Sequence, residues 1–437
     1  MSPATLLTPF FERLEKQSTG RWHGRVTKAT GFLVESEGPF CSLGESCEIA
    51  SVDGRRFAAE VVGFRGSTVL SMPLENLEGI RYGDAVITGG LRPGLRVGDG
   101  LLGRIINGAG QPLDGLGEYR APQRALLDHP SPLPMERIPI REPLGCGVRA
   151  IDAFLTCGRG QRLGIFGGSG VGKTTLIGMM ARNTAADLTV LGLVGERGRE
   201  VREFLEDSLG PEGIRRSVVV VSTSDQSPLL RIRAALAATA VAEYFSSRGK
   251  HVLLVVDSLT RFAMAQREIG LAAGEPPTAK GYTPSVTSQM ARLIERAGQY
   301  GAGSITAFFT VLMEGDDQQD PLVDTARGLL DGHIVLSRRL AMQGHYPAIS
   351  VLDSLSRLMP AVSASRHLET VRDLRSLLAL YSRSEDLIRI GAYQKGSDPE
   401  LEKAIAVLPK ITEFLQQNRD ETAPLAKTLD KLFALRG

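Results

Sequence analysis

Residues 167–174 read Gly167-Gly168-Ser169-Gly170-Val171-Gly172-Lys173-Thr174, an unbroken G-x-x-x-x-G-K-[ST] run. It follows the apolar run 162–166 and opens onto Thr175-Leu-Ile-Gly-Met-Met180, the strand–turn–helix setting that this motif requires. Glycines at these spacings let backbone N–H groups curl around phosphate oxygens, and a helix start adds partial positive charge. Lys173 can reach the β- and γ-phosphates, the Thr174 hydroxyl can bind Mg²⁺, and Thr175 carries the cradle into the first helical turn. The chain is therefore expected to bind a nucleoside triphosphate.

Two acids supply further chemistry. Asp257 ends the apolar run His251-Val-Leu-Leu-Val-Val-Asp257, about eighty residues beyond the glycine-rich turn. A parallel strand delivers its last residue to the ligand crevice, so Asp257 is expected to hold Mg²⁺ through water beside Thr174. Glu196 ends the run Leu191-Gly-Leu-Val-Gly195. Hydrolysis needs a water polarised in line with the γ-phosphate, and a carboxylate can do that. Spacing alone also allows a helix-capping acid here, because Arg197, Arg199, Glu200 and Arg202 surround it. The six histidines are scattered and suggest neither a Ser-His-Asp arrangement nor a metal cluster.

These groups need a sizeable core to hold them, and 437 residues are enough for two or three domains. Apolar content of 42% and charged content of 23% are ordinary for a globular chain. A net charge of +2 gives no case for bulk electrostatic binding to nucleic acid or membrane. The four cysteines, at 41, 47, 146 and 157, lack metal-ligand spacing and read as reduced thiols. With no apolar run of membrane-spanning length and no basic leader, a cytoplasmic location is expected, with docking on a membrane-bound partner possible.

Along the chain, residues 4–16 place Leu6, Leu7, Phe10, Phe11 and Leu14 near one side of a short helix, assigned to residues 1–18. Residues 19–92 carry short β-rich runs (24–27, 31–35, 57–62, 68–70, 84–88), which predict a small antiparallel barrel. The aromatics Trp22, Phe32, Phe40, Phe57 and Phe64 are scattered through it, so most are expected to pack in its core. Residues 93–142 are rich in glycine and proline and read as an ordered connector. From about 143 strands and helices alternate, which means a parallel sheet. Its candidate strands are 162–166, 189–194, 217–222, 251–257, 304–311 and 333–336, within a P-loop domain over 93–362. Amphipathic runs at 369–389, 399–417 and 423–435 make 363–437 a helical domain.

Four stretches carry a likeness to a known family: GGSGVGKTT, VGERGREVREF, VVDSLTRFAMAQREIGLAAGEPPTAKGY and GHYPAISVLDSLSRLMP. Together they resemble the flagellar type III export ATPases, homohexameric relatives of the rotary ATP synthase subunits. SLTRFAMAQREIGLA and IGAYQKGSDPELEKAI are typical of the type III branch, and the likeness covers nearly the whole chain. It implies an α/β fold with a β-barrel, a RecA-like P-loop core and a helical C-terminal domain. It makes Asp257 the Walker B acid and Glu196 the water-activating carboxylate, with Arg197 near the γ-phosphate. Arg357 matches an arginine finger presented to a neighbour's nucleotide. Tyr346 matches the aromatic that stacks on adenine, and Tyr393 is a second candidate for such a contact. The segment 284–293, which faces the central pore in the family, departs from the family's pattern.

The implied partners are a dimeric stator protein on the N-terminal helix, a central coiled-coil stalk protein, export chaperones with their substrates, and a membrane export gate. The implied location is cytoplasmic, peripheral at the inner-membrane export apparatus. Virulence injectisome ATPases share every catalytic residue and are the nearest alternative. A Rho-like hexameric nucleic-acid motor is disfavoured by the lack of a basic, aromatic barrel face, and no nucleic-acid partner is expected. A nucleotide-binding subunit without turnover is disfavoured by Glu196.

Overall fold

The computed structural model describes residues 20–75, 77–313, 320–394 and 396–436. The helix expected over 1–18 lies outside these residues.

Six short strands with inward and outward residues in alternation close into a barrel: Trp22–Thr30, Leu33–Glu37, Ser46–Ala50, Arg56–Arg65, Thr68–Pro73 and Ala85–Thr88. Its interior is filled mainly by small and β-branched side chains, including Val26, Val34, Ile49, Ala59, Val61, Val69 and Val86. That narrow lumen admits one large ring. Phe57 is buried, whereas Trp22, Phe32, Phe40 and Phe64 stand outside, with exposures of 52%, 44%, 80% and 49%. The expectation that most of these aromatics fill the core is therefore corrected. Trp22 and Phe40 instead lie against each other, ring centroids 5.7 Å apart. The barrel is fixed to the central domain by a buried ion pair between Glu60 and Arg233, with Oε2 and Nη2 2.9 Å apart. Alongside it the Ser227 hydroxyl donates to the Leu74 carbonyl.

The central domain is built on a sheet of nine strands. Its main order is Ile349–Ser356, Gly332–Leu336, Arg162–Gly167, Gly303–Leu312, His251–Asp257, Leu188–Glu196, Ser217–Thr223 and Ile105–Asn107. The six central members run parallel and are covered on both faces, which is why they read as continuous apolar runs. Ile349–Ser356 pairs antiparallel with Gly332–Leu336 at one edge. Ile105–Asn107, from the glycine- and proline-rich connector, adds the other edge by pairing parallel with Ser217–Thr223. Helix Pro228–Ser247 is buried around most of its circumference. Its alanines allow close approach to the sheet. A side chain at Gly192 would come within 3.0 Å of Ala238.

Three helices, Ser365–Arg389, Pro399–Leu415 and Leu425–Ala434, follow the sheet. The turn after the second is tied to the central domain. Buried Arg149 donates through Nε to the Phe414 carbonyl and pairs with the Glu421 carboxylate. Gln417 donates from Nε2 to the Gly147 carbonyl and from its backbone N–H to the Tyr346 carbonyl, each at 2.9 Å. No helix among the described residues is long and apolar enough to cross a membrane.

Candidate nucleotide site

Register carries three sequence-predicted groups to one edge of the sheet. The glycine-rich turn leaves the strand Arg162–Gly167 at Gly167, which lies beside Leu312. Asp257 ends the strand on the far side of Gly303–Leu312, opposite Leu193, and Glu196 ends the one after that, opposite Thr223. All three therefore emerge at the C-terminal edge, where open parallel sheets bind ligands.

Gly167, Gly168, Ser169, Gly170, Val171 and Gly172 form the turn, and helix Lys173–Asn183 starts directly after it. Gly172 sits in the left-handed region at φ 93°, which a side chain rarely adopts. Ser169, Gly170, Thr174 and Thr175 are exposed, while Val171 is buried and anchors the turn. Lys173 Nζ donates to the Gly167 carbonyl at 3.2 Å. Burial pulls its ammonium below the usual lysine range, against the opposing pull of Asp257 and Glu196.

Burial pushes the Asp257 carboxyl above its ordinary value, opposed first by the Thr310 hydroxyl and then by Lys173. Thr310 Oγ1 donates to Asp257 Oδ1 at 2.5 Å. Burial also raises Glu196, with the nearby Asp257 charge as the second cause, and brings it to about 7. A carboxyl at that level is poised for proton transfer near neutral pH. The capping alternative is not what the local geometry displays, because helix Gly198–Glu203 begins with no side-chain cap.

Arg261 belongs to this cluster and escaped the sequence reading. It lies in the first turn of helix Leu259–Ala273, four residues after Asp257. Its charge lowers the pKa of Glu196, Asp257 and Lys173 alike. Gly195, at φ 70°, admits it: a Cβ there would sit 2.9 Å from Arg261 Cβ. The available signal was a cation one helical turn beyond a strand-ending acid, S-L-T-R in this chain.

The remaining sequence candidates separate. Tyr346 stands beside the turn, its ring carbons 3.7 Å from where a Gly172 Cβ would be, and it is 47% exposed. Arg197 is exposed and pairs with Glu200, Nη1 to Oε1 3.2 Å, and Glu200 in turn acts on the Glu196 and Asp257 carboxyls. Tyr393 packs in the C-terminal helical cluster with Leu377 and Leu401, not beside the turn. Arg357 follows the edge strand at the opposite end of the sheet, where Ser356 pairs with Gly332 and the Arg357 N–H donates to the Asp331 carbonyl at 3.0 Å. That point is about four strand residues, roughly 13 Å, short of the Gly167 edge. One chain thus gathers a cradle, the carboxylates Glu196, Asp257 and Glu200 and the cations Lys173 and Arg261 around an open surface, and keeps Arg357 elsewhere.

Known proteins resemble this chain over nearly its whole length. Residues 26–90 and 147–356 match the β-barrel and nucleotide-binding domains of the ATP synthase alpha/beta family, and 363–434 match the T3SS EscN ATPase C-terminal domain. The flagellum-specific ATP synthase of Treponema pallidum is 51% identical over 435 residues, which are 99% of this chain and 97% of that protein. The chain belongs to the type III secretion ATPase family. The Type 3 secretion system ATPase of Xanthomonas euvesicatoria is 46% identical, over 99% of this chain and 98% of that one. The assembled ATPase EscN from enteropathogenic E. coli superimposes with a TM-score of 0.89 at 43% identity, covering 95% of this chain and 100% of that one. EscN has also been solved in complex with its central stalk EscO, with a TM-score of 0.88. As a family member this chain is an ATPase, and its barrel, parallel-sheet core and helical end follow the family's architecture.

Proposed function

We propose that the chain hydrolyses ATP at the boundaries between subunits of a homohexameric ring, and that this turnover energises flagellar type III protein export. The observation behind this reading is the division of the site. Lys173, Glu196, Asp257 and Arg261 converge under an open cradle, while Arg357 lies at the far edge of the same sheet. A neighbouring copy supplies the missing cation.

In this reading the backbone N–H groups of 167–174 hold the phosphates and Lys173 neutralises charge on the β/γ pair. Glu196 accepts the proton of the attacking water, and Arg261 opposes the burial that raises both carboxyls. Arg197 exchanges its exposed pairing with Glu200 for the γ-phosphate. Arg357 of one copy faces the equatorial oxygens held by the next. Thr174 and Asp257 offer hard oxygen donors beside Lys173, a set that suits Mg²⁺. When bound with ATP, that ion neutralises charge on the β- and γ-oxygens.

Tyr346 stacks on the adenine. Tyr346→Ala is expected to weaken nucleotide binding about tenfold, from the loss of one base–aromatic stack, with Tyr346→Phe close to wild type. Equal affinities of Tyr346→Ala and wild type in a fluorescent-nucleotide titration would remove the ring from the base.

Around this engine we place a dimeric stator on the N-terminal helix, a coiled-coil stalk in the ring's centre, chaperones that release their substrates, and a membrane export gate that receives them. The chain then works in the cytoplasm, peripheral to the inner-membrane export apparatus. Expressed in a bacterium lacking its own flagellar export ATPase, it is expected to restore export of filament protein, and Lys173→Ala is not. Restored injectisome secretion without flagellar export would assign it to the virulence branch. Export sustained by Lys173→Ala would break the link to hydrolysis.

A further inference from the structure

Strand Gly303–Leu312 runs between the P-loop strand and the strand that ends in Asp257. It is buried almost throughout, with Ile305, Phe308, Phe309 and Val311 fully enclosed, yet position 310 is threonine. A valine has nearly the same shape and an equal strand preference, so packing alone does not call for a hydroxyl here. A buried hydroxyl is costly unless an acceptor takes its proton, and the acceptor is Asp257 Oδ1 at 2.5 Å. Two residues on, the Leu312 N–H donates to Thr260 Oγ1 at 2.9 Å. The strand end is thus clipped at two points to the corner that carries Asp257 and Arg261.

The terminal torsion of an aspartate is broad, so an unrestrained carboxylate samples many orientations. A donor fixed on a central strand removes that freedom. It engages Oδ1, and among the described residues no hydrogen bond is made to Oδ2. We propose that Thr310 is a positioning residue for Asp257, setting the carboxylate's rotation so that one oxygen is held towards the hydrated Mg²⁺ that accompanies ATP. The inference rests on the ATP-binding reading above. It adds a residue that neither the P-loop nor the strand-ending acids disclose.

The test is a titration of the full chain with fluorescent ADP, once with Mg²⁺ and once with EDTA. Thr310→Val is expected to keep the Mg²⁺-free affinity and to lose about ten- to a hundredfold of the gain that Mg²⁺ confers, as is usual when a partner that orients a metal ligand is removed. Thr310→Ser, which keeps the hydroxyl, is expected to retain most of that gain. If the valine variant does not fold, Thr310→Ala against Thr310→Ser makes the same comparison. A full Mg²⁺ gain in Thr310→Val, or a loss in Thr310→Ser as large as in Thr310→Val, overturns the proposal. Absence of any Mg²⁺ gain in the wild-type chain overturns the ATP-site reading as well, which separates the two failures.

Discussion

Arg357→Ala is expected to lower ATP turnover by about 10³–10⁵-fold while leaving nucleotide affinity nearly unchanged. The magnitude follows from what a guanidinium does for phosphoryl transfer. Charge spreads over three equatorial oxygens in the transition state, and a cation placed there acts only at that moment. Affinity is spared because the cradle, Lys173 and Tyr346 are on another surface from Arg357. The variant should fold, since among the described residues the Arg357 side chain makes one hydrogen bond, a long one of 3.5 Å to the Arg327 carbonyl. Loss of nucleotide binding in parallel with turnover would mean that the arginine serves its own subunit's structure.

Glu196→Gln is expected to reduce kcat by about 10²–10⁴-fold with ATP binding retained, because the amide keeps the shape but cannot take a proton. The wild-type activity should also rise with pH through about 7, where burial and Asp257 place the Glu196 carboxyl. Its stability should move the other way. The carboxyl of the folded chain titrates above its ordinary value of 4.5, so folding favours the protonated form. That contribution is complete below the ordinary value and is lost as pH rises through about 7. Glu196→Gln should therefore melt higher than wild type at pH 8, and the gap should close at acidic pH. A capping glutamate would give the opposite stability change, since its loss weakens a helix start.

Much of the site was legible because its parts lie at the ends of parallel strands. Strands buried on both faces are written as apolar runs, and an acid or glycine at the end of one stands out. Gly167, Asp257 and Glu196 were found that way. Ser46–Ala50 was missed because Ser-Cys-Glu-Ile-Ala holds one β-branched residue and so lacks the strand-rich composition of the other runs. Ile105–Asn107 was hidden in a segment dominated by glycine and proline, and it becomes a strand only because Ser217–Thr223 offers an edge. The barrel aromatics went outside because lumen size is a property of six strands together. Arg261 and Thr310 were missed because each acts through a neighbour distant in sequence or one turn away, and single-residue patterns do not encode such pairs. The contact at Gly172 puts Tyr346 beside the P-loop, and the strand pairing at Gly332 puts Arg357 away from it; the motifs pointed to these two residues only through the resemblance.

The most direct test of a site shared between copies is to mix Lys173→Ala with Arg357→Ala protein after showing that the two exchange subunits. In the proposed ring each alone would lack one half of every site, the first its cradle cation and the second its finger. In mixed assemblies, an Arg357→Ala subunit brings an intact P-loop to a boundary where a Lys173→Ala neighbour brings an intact arginine. ATPase activity measured against the mixing ratio should rise from near zero at both ends to a maximum between them. The wild-type specific activity should climb with protein concentration as assemblies form. A flat, inactive mixing curve from exchanging subunits, together with a wild-type rate independent of concentration, would contradict the account.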